Sequence, residues 1–354
     1  MRVFEHMPSA APPTDAGGSR IQTGANETGA NALVHQDGTG NVRAELSNSG
    51  AQIDAGAQTM EKGEVIAPVL AIVGVGLIGG SFAAALRRVG AVSRVLGAGR
   101  SRKTLQSALA LGLIDEQVSL EEAAARADVI LLSLPVGATQ AVLEQMKPHL
   151  GDHVVITDAG STKVNVVQAA KAALEERAGQ FVPGHPIAGA EKTGPHAAMV
   201  DLYQGRTVVL TPLEENSAQA RRLVTKLWEA CGARVIVMAP DVHDVVLASV
   251  SHVPHFLSSV YMWQVASSEN SDLRLELAGS GFRDFTRIAA GSPEMWRDIF
   301  LANRDAMLSE IAEVRAALQR AEHALETGDG EQLHEFLERA ALARRFWGSR
   351  SGLT

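Results

Sequence analysis

Two polar segments, each of which follows a short apolar run, contain side chains suited to proton transfer. The first, 158–163 (DAGSTK), presents the hydroxyl of Ser161, and the second, 184–191 (GHPIAGAE), presents the imidazole of His185 and the carboxylate of Glu191. An uncharged imidazole can accept a proton near neutral pH, and a hydroxyl can assist beside it. We therefore interpret His185 and Ser161 as catalytic candidates and Glu191 as a candidate site residue. A structural histidine, a helix-capping serine and a surface acid are the respective alternatives.

A third polar group lies further along the chain. His243 precedes the segment 251–255 (SHVPH), in which Ser251 and His255 are four residues apart and share one face of a helix. Helical metal signatures place acids between or beside their histidines, and segment 251–255 contains no acid. We therefore predict no metal site.

Two arginines offer cationic groups for an anionic ligand. Arg283 and Arg287 stand on either side of Asp284 in the segment 281–287 (GFRDFTR). A guanidinium group binds a carboxylate through two parallel hydrogen bonds, so this segment suits carboxylate recognition. A structural ion pair with Asp284 is the alternative.

A glycine pattern at 74–79 (GVGLIG) follows an apolar run and precedes a helical pattern. The first glycine of such a motif permits the turn, the second lets the backbone approach a pyrophosphate, and the third allows close helix packing. The N-terminus of the helix faces the negative charge. We therefore predict dinucleotide binding at Gly74, Gly76, Leu77, Ile78 and Gly79.

The residues near position 100 bear on the choice of nicotinamide cofactor. NAD-binding domains usually place an acid about 20 residues beyond the glycine motif, where it binds the ribose hydroxyls. This chain has Arg100, Ser101 and Arg102 there and no acid. Guanidinium groups suit a 2′-phosphate, so we expect NADP, with NAD as the alternative; the arginines could instead be a solvated helix start. Ser133 and Pro135, at the end of the apolar run 128–134, complete the cofactor-binding set.

The elements that must position these residues alternate along the chain. Short apolar runs predict strands, and the stretches between them have helical periodicity. Such alternation indicates a mainly parallel sheet with helices on both faces, and strand patterns stop at about residue 240. We predict strands at 69–73, 94–97, 128–134, 153–157, 180–182, 207–210 and 234–238, and helices at 81–89, 101–112, 119–127, 139–147, 162–178 and 215–231.

The predicted fold class is an α/β Rossmann-type dinucleotide-binding domain at 65–240 followed by an all-helical domain at 241–347. Residues 1–64 are predicted to be a disordered extension, because their small and polar side chains bury too little surface to offset backbone entropy. Residues 348–354 are predicted to be a flexible tail. The uncharged stretch 65–86 has the composition of a membrane span, but its glycines indicate a strand, a turn and a buried helix.

Charge and cysteine content exclude several classes of function. The 354-residue chain has 32 Lys+Arg against 40 Asp+Glu, a formal net charge of −8, whereas nucleic-acid-binding surfaces are basic. Its single cysteine excludes an internal disulfide and suits a reducing compartment. We expect a cytoplasmic protein that binds a small molecule and neither nucleic acid nor membrane.

Taken together, the motifs resemble those of the TyrA family, the prephenate, arogenate and cyclohexadienyl dehydrogenases of tyrosine biosynthesis. The resemblance spans about residues 69–347. It implies hydride transfer from ring carbon C4 of prephenate or arogenate to NAD(P)+ with loss of CO2, and a homodimer formed through the C-terminal helices. The matching segments are 73–81 (VGVGLIGGS), 157–163 (TDAGSTK), 184–194 (GHPIAGAEKTG), 251–255 (SHVPH), 281–289 (GFRDFTRIA) and 295–300 (MWRDIF).

The resemblance also implies a role for each candidate residue. His185 would polarise the C4 hydroxyl as hydride leaves, with Ser161 assisting, and Arg287 would bind the ring carboxylate. The other implied substrate contacts are Ser251 and His255 along the substrate side chain, His243 in support, and Glu191 in an ionic network with Asp284 and Arg287.

Two departures from the family pattern leave the preferred substrate and the preferred cofactor open. Gly291 stands four residues after Arg287, where some relatives have serine, and the ribose-binding acid is missing. Two other interpretations share the glycine motif. One is another two-domain dehydrogenase, acting on a hydroxy acid or an imine with Lys163 as its acid or base. The other is a non-enzymatic, nicotinamide-sensing regulator.

Overall fold

The computed structural model of the chain describes residues 35–36, 42–43, 64–189 and 192–351. The chain divides into two compact units, Met1–Gln58 and Thr59–Thr354. In the first unit β1 (His35–Gln36) pairs antiparallel with β2 (Val42–Arg43). Apart from these strands and Glu64, the predicted extension lies outside the described residues, and its disorder stays a prediction.

The second unit begins with a six-stranded sheet in which every neighbouring pair of strands is parallel. Its strands are β3 (Ala67–Val73), β4 (Val92–Ala98), β5 (Glu116–Gln117), β6 (Val129–Leu132), β7 (Val155–Asp158) and β8 (Phe181–Val182). The spatial order β5-β4-β3-β6-β7-β8 is the one typical of dinucleotide-binding domains. The predicted Rossmann-type fold is confirmed, and the order reverses where β3 lies beside β6.

Helices connect the strands, and three of these helices begin at a serine cap. They are α1 (Leu77–Arg88), α2 (Arg102–Ala110), α3 (Leu120–Arg126), α4 (Thr139–Met146), α5 (Val164–Leu174) and α6 (Ala218–Ala230). The hydroxyls of Ser101, Ser119 and Ser217 accept backbone N–H groups at the starts of α2, α3 and α6, at 3.2, 3.1 and 3.0 Å. Short 3₁₀ turns lie at Val136–Ala138, Lys147–His149, Glu175–Gln180, Pro195–Ala197 and Arg287–Ala290.

Apolar side chains cover both faces of the six-stranded sheet. On one face the rings of Phe82 and Trp228, from α1 and α6, pack with their centroids 4.4 Å apart. On the other face α3, α4 and α5 supply the apolar layer, including Leu143 and Val166. The uncharged stretch 65–86 forms β3 and most of α1, so its prediction as a strand, a turn and a buried helix is confirmed.

A separate three-stranded sheet consists of β9 (Gly184–Pro186), β10 (Thr207–Leu210) and β11 (Arg234–Val237). β10 is parallel to β11 and antiparallel to β9, with His185 opposite Val209. From the glycines and the proline around His185 we expect a loop there, and this expectation is wrong. A three-residue strand is too short to show an alternating pattern, and the proline is tolerated because β9 is an edge strand.

The rest of the chain is helical. α7 (Pro240–Leu247), a π-helical turn (Ala248–His252) and α8 (Val253–Ala266) form one continuous helix. It is followed by α9 (Ser271–Glu276), α10 (Ser280–Thr286), α11 (Pro293–Ala302), α12 (Arg304–Thr327) and α13 (Gly330–Ser351). α13 extends into the predicted tail at 348–354, of which residues 352–354 lie outside the described residues.

The helical domain leaves much of its apolar surface open within one chain. Its buried cluster is small and centres on Ala248, Val253 and Met307, whereas the side chains of Trp263 and Leu277 are 71% and 77% exposed. By length and composition alone the 27-residue helix Pro240–Ala266, whose most apolar 18-residue stretch has a mean hydropathy of 1.3, could cross a membrane. Exposed apolar patches of this kind also mark protein–protein interfaces.

Candidate active site

A chain of three buried side chains connects the α/β domain to the helical domain. Nδ1 of His185, on β9, lies 2.8 Å from Nε2 of His243 on α7. Nδ1 of His243 lies 2.7 Å from Oδ1 of Asp244. The two domains therefore meet at the imidazole of His185.

The hydrogen-bond partners assign the tautomers of the two histidines. A carboxylate only accepts hydrogen bonds, so Nδ1 of His243 carries the proton that it donates to Asp244. Nε2 of neutral His243 is then an acceptor, and Nδ1 of His185 donates to it. The remaining nitrogen of neutral His185, Nε2, carries no proton. It can act as a base toward a substrate.

The carboxylate of Asp244 is held by the start of α5. Its Oδ1 accepts the backbone N–H of Lys163 at 2.7 Å, and its Oδ2 accepts that of Val164 at 2.9 Å. The first N–H groups of a helix lack partners within the helix, and its N-terminus favours negative charge. Asp244 thus caps α5. Ser161 is not the residue that caps it, because the N-cap position is Lys163.

The surroundings of His185 favour its uncharged form. Burial lowers the pKa of His185 well below its usual value, and the neighbouring His243, Lys163 and His252 lower it further. Ser161 lies half-buried in the loop between β7 and α5, two residues before Lys163. The site therefore holds a neutral imidazole close to a loop that carries a hydroxyl.

His255 is held on two sides at the start of α8. Its Nδ1 lies 2.8 Å from the backbone oxygen of Ser251, and its ring stacks on the indole of Trp296 with a centroid separation of 3.7 Å. Burial lowers the pKa of His255, and the positive charge of Arg287 lowers it further. An uncharged His255 thus lies near the guanidinium group of Arg287. The positive charge of that group suits an anionic ligand.

The π-helical turn sets the spacing of this helix. The N–H of Val253 donates to the oxygen of Ala248, five residues back, and Pro254 follows directly. Proline has no N–H and clashes with the carbonyl four residues earlier in a regular helix. The wider turn accommodates Pro254 and determines where His252 and His255 lie. Such turns are frequent at functional sites.

Several site residues lie outside the set that the sequence predicts. Nδ2 of Asn303 donates to the backbone oxygen of Asp244 at 2.7 Å and lies 3.0 Å from Nδ1 of His252. Burial lowers the pKa of His252 to about 4. Asp244 could have been found from its place beside His243, and Trp296 from its place in a family segment. Asn303 has no such signal.

The glycine motif forms a cradle at the carboxyl end of β3. Gly74 has a φ of +95°, and a Cβ atom there would overlap the carbonyl of Ser133. At Gly76, the N-cap residue of α1, a Cβ atom would meet no atom within 4 Å. The first turn of α1 contains no acid. This open helix N-terminus fits a pyrophosphate.

The other predicted cofactor-binding residues follow the neighbouring strands β4 and β6. Arg100 and Arg102 are exposed, and neither has a carboxylate partner within the described part of the chain. The hydroxyl of Ser101 caps α2, and Ser133 and Pro135 follow β6. Because β4, β3 and β6 are adjacent, these residues share one edge of the sheet with the glycine cradle.

The remaining predicted residues lie on or after α10, or are not described. Arg283 is exposed and lies 3.7 Å from Asp284, and Arg287 begins a 3₁₀ turn. A Cβ atom at Gly291 would overlap the indole of Trp296, so the indole fills the space that a serine side chain would need. Glu191 lies outside the described residues.

The chain matches one family along most of its length. Residues 82–237 match the model described as the prephenate dehydrogenase nucleotide-binding domain, and residues 239–339 match the model of the prephenate dehydrogenase dimerization domain. The second match supports a homodimer.

Individual relatives agree with these matches. Prephenate dehydrogenase of Bacillus subtilis is 36% identical over 272 residues, 76% of this chain and 73% of that protein. Cyclohexadienyl dehydrogenase of Zymomonas mobilis is 35% identical over 278 residues, 78% of this chain and 94% of that protein.

Solved structures show the same fold. Prephenate dehydrogenase from Aquifex aeolicus, in complex with hydroxyphenyl propionate and NAD+, has a TM-score of 0.74 and 34% identity, covering 78% of this chain and 97% of that one. Arogenate dehydrogenase from Synechocystis has a TM-score of 0.67 and 29% identity, covering 79% and 99%. With a dinucleotide cradle and a buried histidine chain in one unit, this protein is an oxidoreductase that belongs to the prephenate dehydrogenase family.

Proposed function

We propose that this enzyme catalyses the oxidative decarboxylation of prephenate, arogenate or both, in tyrosine biosynthesis. The observation that carries the proposal is the buried chain from Asp244 through His243 to His185, which leaves Nε2 of His185 without a proton. Oxidation at a carbon that bears a hydroxyl requires a base for the hydroxyl proton. The names of two relatives, a prephenate and an arogenate dehydrogenase, supply the two candidate substrates.

In the proposed reaction His185 accepts the proton of the ring C4 hydroxyl while Ser161 donates a hydrogen bond to the same oxygen. When bound, the nicotinamide cofactor supplies the hydride acceptor. The bond between the ring and its carboxylate breaks, CO2 leaves, and the electron pair of that bond makes the ring aromatic. The phenol oxygen regains its proton from His185. His243 and Asp244 stabilise the imidazolium in the interval.

The proposed contacts to the carboxylate groups of the substrate lie in the part of the site near Arg287. Arg287 binds the ring carboxylate, and the proposal is supported by its charge acting on His255. Ser251 and His255 contact the substrate side chain, and His243 supports the site through its contact with His185. Glu191 is proposed to join Asp284 and Arg287 in an ionic network at the entrance.

The chain uses a nicotinamide cofactor, and the proposed one is NADP, with NAD as the alternative. The support is the pair of exposed guanidinium groups of Arg100 and Arg102 beside the cradle, where a ribose-binding acid is missing. A 2′-phosphate forms charge-assisted hydrogen bonds with such groups. The bound NAD+ in the Aquifex aeolicus structure belongs to that protein and leaves this preference open.

The homodimer is proposed to form through the C-terminal helices. The apolar side chains left open on the helix Pro240–Ala266 and on α12 and α13 support this proposal. Burial against a second copy, rather than insertion into a membrane, is then the role of this surface. The proposed location is the cytoplasm, and nucleic acid is not a proposed partner of this acidic chain.

Four initial-rate assays test the function, with prephenate or arogenate as substrate and NADP+ or NAD+ as cofactor. We expect the absorbance of reduced nicotinamide to grow with at least one substrate, faster with NADP+.

Replacing Arg100 and Arg102 together by alanine should lower the NADP+ to NAD+ rate ratio roughly tenfold, the loss of about 1.4 kcal/mol of binding. Arg222→Ala, an exposed arginine on α6, is the matched control. No turnover in all four assays would refute the function.

Neither other interpretation is favoured by the structure. The ammonium of Lys163 is fully buried and bonded to Asp158 and to the oxygen of Gly184, so it is not available as an acid or base for a substrate. The matches to dehydrogenases along both domains do not support a non-enzymatic sensor.

A further inference from the structure

Lys163 is the most deeply buried charged side chain near the active site. Its side chain has no exposed surface, and its ammonium donates to Oδ2 of Asp158 and, at 2.7 Å, to the backbone oxygen of Gly184. Burying an ammonium group is costly unless it is paired and hydrogen-bonded. The cost indicates that the position does more than fill space.

The partners of Lys163 hold the residue directly before His185. Oδ1 of Asp158 accepts the N–H of Gly184 at 2.9 Å, while Lys163 binds the oxygen of Gly184. Oδ2 of Asp158 accepts the N–H of Gly160 as well, at 2.8 Å. Both backbone polar groups of Gly184 are therefore fixed by one ion pair. The direction in which β9 presents His185 depends on that pair.

Lys163 also supports the ring of His185 indirectly, through Asp244 and His243. Its backbone N–H donates to Oδ1 of Asp244, the same oxygen that accepts the proton of His243. The side chain of Lys163 thus positions the backbone at His185, and its main chain positions the carboxylate that sets the tautomer of His185.

We propose that Lys163 is a positioning residue for the catalytic base, which holds both the backbone and the ring of His185 and keeps a positive charge beside it. The proposal rests on the proposed function, since it presumes that His185 is the base. Lys163 itself does not touch the substrate.

The charge of Lys163 has a consequence that a purely structural residue would not have. Burial lowers the pKa of Lys163, and the carboxylates of Asp158 and Asp244 oppose this effect and favour the ammonium. The ammonium in turn helps His243 and His252 to lower the pKa of His185. Lys163, His243 and His252, from the N-terminus of α5, α7 and the π-helical turn, act on His185 itself. Asp158 on β7 and Asp244 on α7 act on the charge of Lys163.

The test compares Lys163→Met with Lys171→Met. Lys171 lies on α5 and forms an ion pair, at 2.7 Å with Glu215, but its side chain is exposed. We expect Lys163→Met to lower kcat about 10²-fold, because a small misplacement of a catalytic group costs that much. Its affinity for NADP+ should not change. The acid limb of its kcat/KM profile should move to higher pH, because loss of the ammonium raises the pKa of His185. Lys171→Met should match the wild type.

A second variant separates positioning from folding. Lys163→Met leaves Asp158 buried without its partner, whereas Asp158→Asn with Lys163→Met leaves no unpaired charge, and circular dichroism checks that each is folded. We expect the double variant to keep the low kcat, since Gly184 remains unclamped. A folded variant of either kind with wild-type kcat and an unmoved acid limb would overturn the proposal. Wild-type protein without turnover on either substrate would instead overturn the proposed function.

Discussion

At the scale of single residues, His185 owes its proposed role to neighbours on two other elements, α7 and the start of α5. Asp244 determines which nitrogen of His243 carries a proton, and His243 does the same for His185. The start of α5 stabilises the charge of Asp244 with two N–H groups. A histidine with only a packing role would not require partners that determine which of its nitrogens carries the proton.

His185→Asn tests that role directly. Asparagine keeps a polar group of similar size but cannot accept a proton, so kcat should fall about 10²- to 10⁴-fold, the usual contribution of a general base. Cofactor affinity, measured by nicotinamide fluorescence, should stay at the wild-type value because the cradle is untouched. His149→Asn, an exposed histidine after α4, serves as the control. If His185→Asn retained most of kcat, another residue would have to be the base.

At the scale of elements, a short strand and a π-helical turn place the site. β9 is a three-residue edge strand that carries His185. The π-helical turn Ala248–His252 precedes Pro254 and places His252 and His255. The regular elements around them supply the rigid frame.

Pro254→Ala tests the turn. Alanine restores an N–H that can bond four residues back, so the turn should relax toward a regular helix and rotate His255 away from its contact with Ser251. We expect KM for the substrate to rise roughly tenfold, while the thermal midpoint stays equal or increases because alanine is the better helix former. Pro293→Ala, at the first position of α11, is the control. An unchanged KM would show that the turn does not depend on Pro254.

At the scale of the whole molecule, catalytic groups and stability are linked through buried neutral histidines. His185 and His252 both have pKa values below those of an unfolded chain, and burial is the main cause for each. Both lie where the α/β domain meets the helical domain. Protonation of either one therefore opposes the packing that forms the site.

Stability should accordingly fall in mildly acidic solution. Below about pH 6.5 the unfolded chain binds protons at these histidines that the folded chain does not. Their contribution to the free energy of unfolding is therefore fully present above that pH and is lost as the pH falls toward 4. With a folded pKa of about 4, His252 alone would account for roughly 3 kcal/mol. Urea unfolding at pH 7 and pH 4.5, at one protein concentration, measures the difference. His252→Gln should show a smaller loss, and a protein more stable at pH 4.5 than at pH 7 would contradict the account.

Local sequence patterns predicted much of the fold. The glycine motif, the apolar runs and the serine caps act over a few residues. The sequence therefore predicted the helices α1 to α6 and the strands of the six-stranded sheet, apart from the two-residue β5. The strands β10 and β11 were predicted as well, but their separation into a second sheet with β9 was not, because the pairing of His185 with Val209 joins residues far apart in the chain. Asn303 and Lys163 illustrate the same limit at the site, since their partners lie on other elements.

The sequence by itself determined the family, the dinucleotide cradle and the identity of His185 and Ser161 as candidates, because each rests on residue types at fixed short spacing. Only the tertiary structure decided what surrounds them. It turned His243 and Asp244 into the support of His185, and it turned Lys163 from a candidate acid or base into a buried ion-pair partner. Tautomers and pKa values depend on neighbours brought together from distant segments, and that proximity exists only once the chain has folded.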